Sequence, residues 1–268
     1  MRIAAVQLSY DDDEPLGARV DRVAALVADQ AGHDLVVLPE LWAPTGFGYR
    51  RWEEAAEPLD GPFAAAMADA ARALGAPLHA GSFVERLPEP GPDGNDLANT
   101  SLLFAADGTR TAFYRKVHRF GFGAGEPKLM EAGEEVVVVD LPDGAGGSVR
   151  TGLSTCYDLR FPELYRRQQE AGAELLVVPA AWPAARVGHW TLLGRARALE
   201  NQAALVQVNT GGIHAGTPMG GHSQVVGASG DVLGEAAHTD EVVLSVDLDL
   251  GATTAYREAF PVLADRRL

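Results

Sequence analysis

The chain of 268 residues is 47% hydrophobic, and no linker rich in Pro, Ser or Gly divides it, so we expect a single α/β domain over 1–268. The net charge of −15 argues against nucleic acid and anionic membranes as partners, because both bind proteins through basic surfaces. The N-terminal apolar run is too short for a signal peptide and no run approaches the roughly 18 residues of a membrane span, which indicates a cytoplasmic protein.

The first half of the chain alternates strand-like and helix-like patterns. In chain order these predict a strand over 2–8, a helix over 15–30, a strand over 35–39, a helix over 61–74 and a strand over 77–85. A loop rich in Pro and Gly over 86–96 precedes a hairpin whose strands, 101–105 and 109–114, flank Ala106-Asp107-Gly108. The alternation predicts βαβ units, and the hairpin leads directly into Lys116 and a loop over 120–135.

The second half repeats this order. Strands are predicted over 136–141, 148–154, 175–179 and 204–209, helices over 162–171 and 188–201, and a hairpin around Ala228-Ser229-Gly230. The repeat suggests a weak internal duplication and two sheets, each with helices on its outer face. The tail after Asp249 has little periodicity.

Cys156 is the only cysteine of the chain, so it cannot form an internal disulfide, which fits a reducing compartment. The residues before it are apolar and β-branched, and Pro162 is placed to open a helix, which puts Cys156 at a strand-to-helix elbow. Backbone N–H groups of the next turn can there lower the pKa of the thiol and hydrogen-bond an oxyanion. The alternative is a buried cysteine that serves only as a small apolar residue.

Two further residues favour a catalytic interpretation. Glu40 follows the apolar strand 35–39 and therefore stands at the carboxyl edge of a sheet, where open α/β folds place their sites. Lys116 and Lys128 are the only lysines among 22 basic residues. Because a compact ammonium with a tunable pKa is not interchangeable with a guanidinium, the departure from arginine at Lys116 suggests a chemical role.

Three motifs around these residues resemble those of the nitrilase (carbon-nitrogen hydrolase) superfamily. They are Leu38-Pro39-Glu40-Leu41, Tyr114-Arg115-Lys116-Val117-His118 and Thr155-Cys156-Tyr157-Asp158-Leu159-Arg160-Phe161-Pro162-Glu163, in the family's order. The resemblance extends from Arg2 to about Asp249 and implies an α/β fold of the four-layer α/β/β/α sandwich type. It also implies hydrolysis of a small amide without a cofactor, and a homodimer that pairs through the helices over 162–171 and 188–201, with the tail at the interface.

The resemblance implies a mechanism for these residues. Glu40 deprotonates Cys156 and the thiolate attacks the substrate carbon, while Lys116 and the backbone N–H of Tyr157 hold the oxyanion. Ammonia or an amine leaves, and Glu40 then activates water against the thioester, which releases a carboxylic acid.

Family members often carry a second glutamate beside these residues. The best match is Glu126, with Glu131 in the same loop as the alternative, and either can instead be a solvated loop carboxylate. For Arg160 and Glu163 we predict an ion pair that fixes the elbow. For Glu200-Asn201, which resembles a Glu-Asn pair of the family, we predict buried hydrogen bonding rather than catalysis.

The segment from Trp182 to Arg186, together with His189, resembles the ω-amidase-type branches more than the nitrilases. The predicted strand before it should end at the same sheet edge as Glu40, so Arg186 or His189 can approach a substrate anion. We therefore predict that the substrate is an ω-amide of a dicarboxylic or α-keto dicarboxylic acid, with Tyr157 and Trp182 also in the substrate site. Alternatively, Arg186 is a solvated loop residue.

Other functions fit parts of this pattern. A nitrilase or an N-carbamoyl amino acid hydrolase would use the same triad, whereas a non-catalytic interaction protein would keep the fold without needing an intact triad. A disulfide-based redox sensor would need a second, resolving cysteine. No metal is expected, since no zinc-like spacing relates His118, His189, His214 and His222.

Overall fold

The computed structural model describes residues 1–267, which form two six-stranded sheets flanked by helices. The strands are β1 (Arg2–Gln7), β2 (Leu35–Val37), β3 (Leu78–Arg86), β4 (Leu97–Phe104), β5 (Arg110–Arg115), β6 (Val138–Pro142), β7 (Ser148–Leu153), β8 (Leu175–Pro179), β9 (Ala204–Val208), β10 (Ile213–His214), β11 (Thr217–Pro218), β12 (Gln224–Val226), β13 (Val232–Glu235) and β14 (Val242–Asp247). The helices are α1 (Leu16–Ala28), α2 (Trp52–Ala55), α3 (Pro62–Leu74), α4 (Glu126–Leu129), α5 (Pro162–Glu170), α6 (Val187–Asn201) and α7 (Leu250–Ala259).

The two sheets share one strand order. The first runs β14-β1-β2-β3-β4-β5, and the second, read from its far edge, runs β6-β7-β8-β9-β12-β13. In each sheet three strands pair in parallel, β1 to β3 and β7 to β9, and every other pairing in the two sheets is antiparallel. The duplication predicted from the sequence is therefore present in the strand pairing.

Alternation along the strands decides which layer each side chain joins. On β1, Ile3 and Ala5 belong to the core shared with the second sheet, whereas Ala4 and Val6 pack with residues of α1 and α3. The helices α5 and α6 cover the second sheet. Strands covered on both faces are apolar at nearly every position, which is why they read as near-continuous apolar runs. The result is the four-layer α/β/β/α sandwich implied by the resemblance.

One helix lies where the sequence shows little periodicity. α7 begins after Asp249, whose Oδ1 accepts hydrogen bonds from the N–H groups of Gly251 and Ala252. Within α7 only Thr253 is buried. A helix that buries so little leaves no apolar period to detect, so the capping aspartate is its only sequence signal.

The predicted loop over 120–135 contains the single turn α4, with Pro127 near its start. The other predicted elements occur where expected, with small shifts at their ends, except that β4 begins at Leu97 rather than at 101. None of the helices within residues 1–267 combines the length and the apolar composition of a membrane span.

Candidate active site

The turn after β7 carries Cys156. Its backbone has a φ of 47°, a left-handed conformation uncommon outside glycine, and it begins a 3-10 turn over Cys156–Arg160 that leads into α5. The thiol is buried, with 7% of the residue exposed. Backbone in this conformation persists only where the surroundings enforce it, and it is found most often at functional sites.

The buried side chain of Asp158 stabilises this turn. Its fully buried carboxylate accepts hydrogen bonds from the Thr155 N–H at 2.9 Å, the Tyr114 hydroxyl at 2.7 Å and the His118 N–H at 2.9 Å. Thr155 and Asp158 also form a reciprocal capping box at the start of the turn. Because Tyr114 and His118 flank Lys116 in the chain, one carboxylate ties the elbow to the end of β5.

Glu40 stands just after β2, at the predicted sheet edge, and is 3% exposed. Its Oε1 accepts hydrogen bonds from the Lys116 ammonium at 2.7 Å and the Asn99 amide at 2.8 Å. Its Oε2 accepts one from the Ala181 N–H at 2.8 Å. The chain turns at the next residue, Leu41, with a φ of 44°.

Lys116 follows β5 and contacts two carboxylates. Its Nζ lies 2.7 Å from Glu40 Oε1, and 3.0 and 2.9 Å from Oε1 and Oε2 of Glu126. Burial lowers the pKa of Lys116, but the negative charges of Glu126, Glu40 and Cys156 outweigh burial and hold the pKa well above its usual range. Lys116 is therefore a fixed positive charge.

Of the two candidate glutamates, the structure places Glu126 beside Lys116. Glu126 opens α4 and is buried. Burial raises its pKa, the charge of Lys116 opposes the rise, and Glu40 adds to it. Glu131 lies apart from this cluster and accepts a hydrogen bond from the N–H of Asp93, under the loop over 86–96.

Two residues of the site were not found from the sequence. Asn99, on β4, donates to Glu126 Oε1 at 2.7 Å as well as to Glu40. Its signal is the polar run Asn99-Thr100-Ser101 inside an otherwise apolar strand. The second is Asp158, and its signal is the three-residue spacing from Thr155 that a capping box requires.

The thiol of Cys156 lies beside the charged groups of Glu40, Lys116 and Glu126. Burial raises the pKa of Cys156 well above its usual value, and the charge and hydrogen bond of Glu40 act in the same direction, whereas Lys116 lowers it. The resting side chain is therefore a neutral thiol beside a carboxylate that can accept its proton. A nucleophile, a base and a fixed cation in one buried cluster can carry out covalent cleavage of an amide.

Two adjacent hollows open at Cys156. The charged hollow is lined by Glu40, Lys116 and Glu126 among others. The aromatic hollow is lined by Phe47, Phe120, Cys156, Tyr157, Arg160, Ala181, Trp182, Pro183 and Arg186. The predicted residues Tyr157, Trp182 and Arg186 thus lie together at the aromatic hollow.

The structure corrects the role predicted for Arg160. No ion pair joins it to Glu163 within residues 1–267, since Glu163 is exposed to solvent in the first turn of α5, where an ion pair stabilises little. The Arg160 guanidinium instead lies 4.6 Å from the centre of the Trp182 ring. His189 is exposed and does not line the hollow; its Nδ1 lies 3.3 and 3.4 Å from the two terminal nitrogens of Arg160.

Glu200 and Asn201 lie at the end of α6, outside both hollows. Glu200 pairs with Arg197 at 2.8 Å, and the buried Asn201 amide donates to the Arg197 carbonyl at 2.9 Å. Both side chains make contacts within their own helix. In the described part of the chain, no group of three His, Cys, Asp or Glu side chains could hold a metal ion.

Known proteins resemble this chain in sequence and in fold. A family model for carbon-nitrogen hydrolases matches residues 2–258. A 2-oxoglutaramate amidase from Paenarthrobacter nicotinovorans is 46% identical over 265 residues, which cover 99% of this chain and 89% of the relative.

Solved structures agree along the whole chain. A CN-hydrolase superfamily protein from Xanthomonas campestris, with an arsenic adduct in its active site, superimposes with a TM-score of 0.86 at 30% identity, covering 100% of this chain and 97% of that one. A glutamate-to-glutamine mutant of the amidase from Nesterenkonia sp. AN1, which shows Michael addition of acrylamide at its active-site cysteine, gives a TM-score of 0.75 at 27% identity, covering 97% of each chain. Since the family model spans nearly every residue and a relative is 46% identical along it, the chain belongs to the carbon-nitrogen hydrolase family.

Proposed function

We propose that the protein is an ω-amidase, which releases ammonia from the terminal amide of a short dicarboxylic or α-keto dicarboxylic acid. The observation that carries the proposal is a pair of guanidinium groups, Arg160 and Arg186, lining the hollow that opens at Cys156. In a chain of net charge −15, an anionic substrate needs such a local positive site. The similarity to a 2-oxoglutaramate amidase supports the same substrate class.

The first half of the reaction forms a thioester. Glu40 takes the proton of Cys156, and the sulfur attacks the amide carbon. Negative charge develops on the amide oxygen, where the Lys116 ammonium and the backbone N–H of Tyr157 stabilise it. The intermediate collapses, the C–N bond breaks, and protonated Glu40 gives its proton to the leaving ammonia.

The second half hydrolyses the thioester. Glu40, again ionised, removes a proton from a water molecule that attacks the acyl carbon, and the same oxyanion donors act a second time. The C–S bond breaks, the thiol regains its proton from Glu40, and the dicarboxylic acid leaves. Glu126 adds negative charge next to Lys116 and keeps it an ammonium throughout.

The distal carboxylate of the substrate lies at the aromatic hollow. Arg160 stacks on Trp182, and the guanidinium of Arg186 lies 5.6 Å from the centre of the Phe120 ring, so aromatic faces hold both cations in place. Burial lowers the pKa of Arg160, and the nearby charge of Arg186 lowers it further. A carboxylate bound between the two guanidinium groups relieves this repulsion and accepts hydrogen bonds from both.

The test compares Arg160→Met with the wild type on succinamic acid and on an uncharged amide of similar length. Methionine keeps the packing against Trp182 but removes the charge. KM for succinamic acid should rise at least about tenfold, the scale of one charge-assisted hydrogen bond, while the uncharged amide changes little. The matched control is Arg167→Met, an exposed arginine on α5, which should leave both substrates unaffected.

Equal effects on both substrates, or a wild-type preference for the uncharged amide, would reject the ω-amidase assignment. The same panel includes a nitrile and an N-carbamoyl amino acid, scored for ammonia and acid product. Faster turnover of either would favour a nitrilase or an N-carbamoyl amino acid hydrolase with the same three residues.

The proposed enzyme is a cytoplasmic homodimer. The outer face of α6 exposes Leu192 by 65% and Leu199 by 48%, a surface suited to pairing with a second copy. A lone free thiol suits a reducing compartment. Light scattering at micromolar concentration should give twice the chain mass of 28.3 kDa, and a fully active monomer would contradict the dimer.

A further inference from the structure

We infer that Asn99 is a positioning residue for this reaction: it orients the Glu40 carboxylate so that one oxygen, Oε2, is left to take the proton of Cys156. The inference rests on the proposed function only for the identity of the substrate. The positioning itself concerns groups of the protein and can be tested without an amide.

The Asn99 side chain lies between the two carboxylates of the site. Its Nδ2 donates to Glu40 Oε1 at 2.8 Å and to Glu126 Oε1 at 2.7 Å, and Asn99 is only 2% exposed. Its backbone carbonyl accepts a hydrogen bond from the backbone N–H of Lys116 at 2.9 Å, so the same residue also fixes the backbone of Lys116. Asn99 therefore sets the spacing of three charged groups.

The hydrogen bonds at Glu40 show which oxygen remains available. A carboxylate oxygen accepts about two hydrogen bonds. Oε1 already receives two, from Lys116 and Asn99, whereas Oε2 receives one, from the Ala181 N–H. The remaining acceptor position of Oε2 is the one that the thiol of Cys156 can use.

The cost of this arrangement indicates that it serves the site. The amide oxygen of Asn99 is buried and has no hydrogen-bond partner, which destabilises a folded chain. Turning the amide around would place that oxygen against two carboxylates, so the donor must face them. An apolar residue on β4 would avoid the unpaired oxygen but would leave both carboxylates without this donor.

The experiment compares Asn99→Asp and Asn99→Ala with the matched control Thr100→Val. The aspartate variant has nearly the shape of asparagine but replaces both N–H donors with a carboxylate that adds negative charge, whereas the alanine variant removes the donors without adding charge. Thr100 lies on the same strand and is equally buried, but its hydroxyl donates to Glu85 at 2.6 Å, away from the site. Circular dichroism and thermal melting establish which variants fold.

The main readout is alkylation of Cys156 by iodoacetamide, followed by mass spectrometry across pH. The titratable and charged groups that face Cys156 are Glu40, Glu126, Lys116, Tyr49, Tyr165 and Arg160. Without Asn99, Glu40 and Glu126 each lose a hydrogen bond to their ionised form. The acid limb of the alkylation rate should therefore move up by about one pH unit in both Asn99 variants, with no move in Thr100→Val.

Turnover of succinamic acid is the second readout. In the Asn99 variants kcat should fall at least about tenfold, with KM within about threefold, because the base is misplaced while the anion site is intact. An unmoved acid limb in a folded Asn99 variant, or an equal shift in Thr100→Val, would overturn the inference. A shifted acid limb in a protein that hydrolyses no ω-amide would support the positioning and reject the proposed function.

Discussion

Replacing Lys116 with arginine tests whether the site needs a compact cation rather than any positive charge. The ammonium lies within 3.0 Å of three carboxylate oxygens, and its side chain is 2% exposed. The wider guanidinium needs room that a close-packed cluster lacks, at a cost in stability of about 1–3 kcal/mol. It also moves the positive centre away from the oxyanion, and loss of one such donor costs about 100-fold in rate, or roughly 2.7 kcal/mol.

The assay measures kcat/KM for ammonia release together with the midpoint of urea unfolding. Lys116→Arg should lose at least about 100-fold in kcat/KM while remaining folded. The chain offers one matched control, Lys128→Arg, because Lys128 is its only other lysine and is exposed on α4. If folded Lys116→Arg stays within about threefold of the wild type, the ammonium is not an oxyanion donor.

Three further predictions concern the nucleophile, the second glutamate and the elbow. A slow substrate should leave a covalent adduct on the peptide that contains Cys156, and Cys156→Ala should fold but not turn over. Burial raises the pKa of the Cys156 thiol, so the thiol should still be protonated at about pH 8.5, the usual midpoint for cysteine. The wild type and Cys156→Ala should therefore show the same thiolate absorbance at that pH, and a thiolate that appears at lower pH in the wild type alone would contradict this. Glu126→Gln should lower kcat at least about tenfold, whereas Glu131→Gln should stay within about twofold; the reverse order would exchange the two assignments. Asp158→Asn places an amide against three hydrogen-bond donors, so the free energy of unfolding measured with urea should fall by about 2–4 kcal/mol. An unchanged unfolding midpoint would show that Asp158 does not fix the elbow.

The sequence by itself, through its strand and helix patterns and its family resemblance, was enough to predict the four-layer sandwich and three charged or reactive residues of the site. Apolar runs and helical periods are local signals, so they located the strands and most helices before any contact was known. Glu40, Lys116 and Cys156 each stand just after the end of a strand, and strand ends of one fold meet at a shared edge. The motifs around them carry the family resemblance in short, contiguous stretches.

Only the tertiary structure decided the partners of these residues. Glu126 and Glu131 lie in one loop with similar surroundings in sequence, and the turn α4 alone brings Glu126 to Lys116. Arg160 was expected to pair with its neighbour Glu163 but instead stacks on Trp182, which reaches it from another loop.

Such contacts join residues far apart in the chain. The Ala181 N–H that binds Glu40 is 141 positions away from it, and Asn99 is 59 positions away. No local pattern encodes a pairing of this kind, because it depends on how two packed sheets bring their loops to one edge. The sequence therefore determined which strand ends carry chemistry, and the folded packing determined which side chains share a proton, a charge or a substrate.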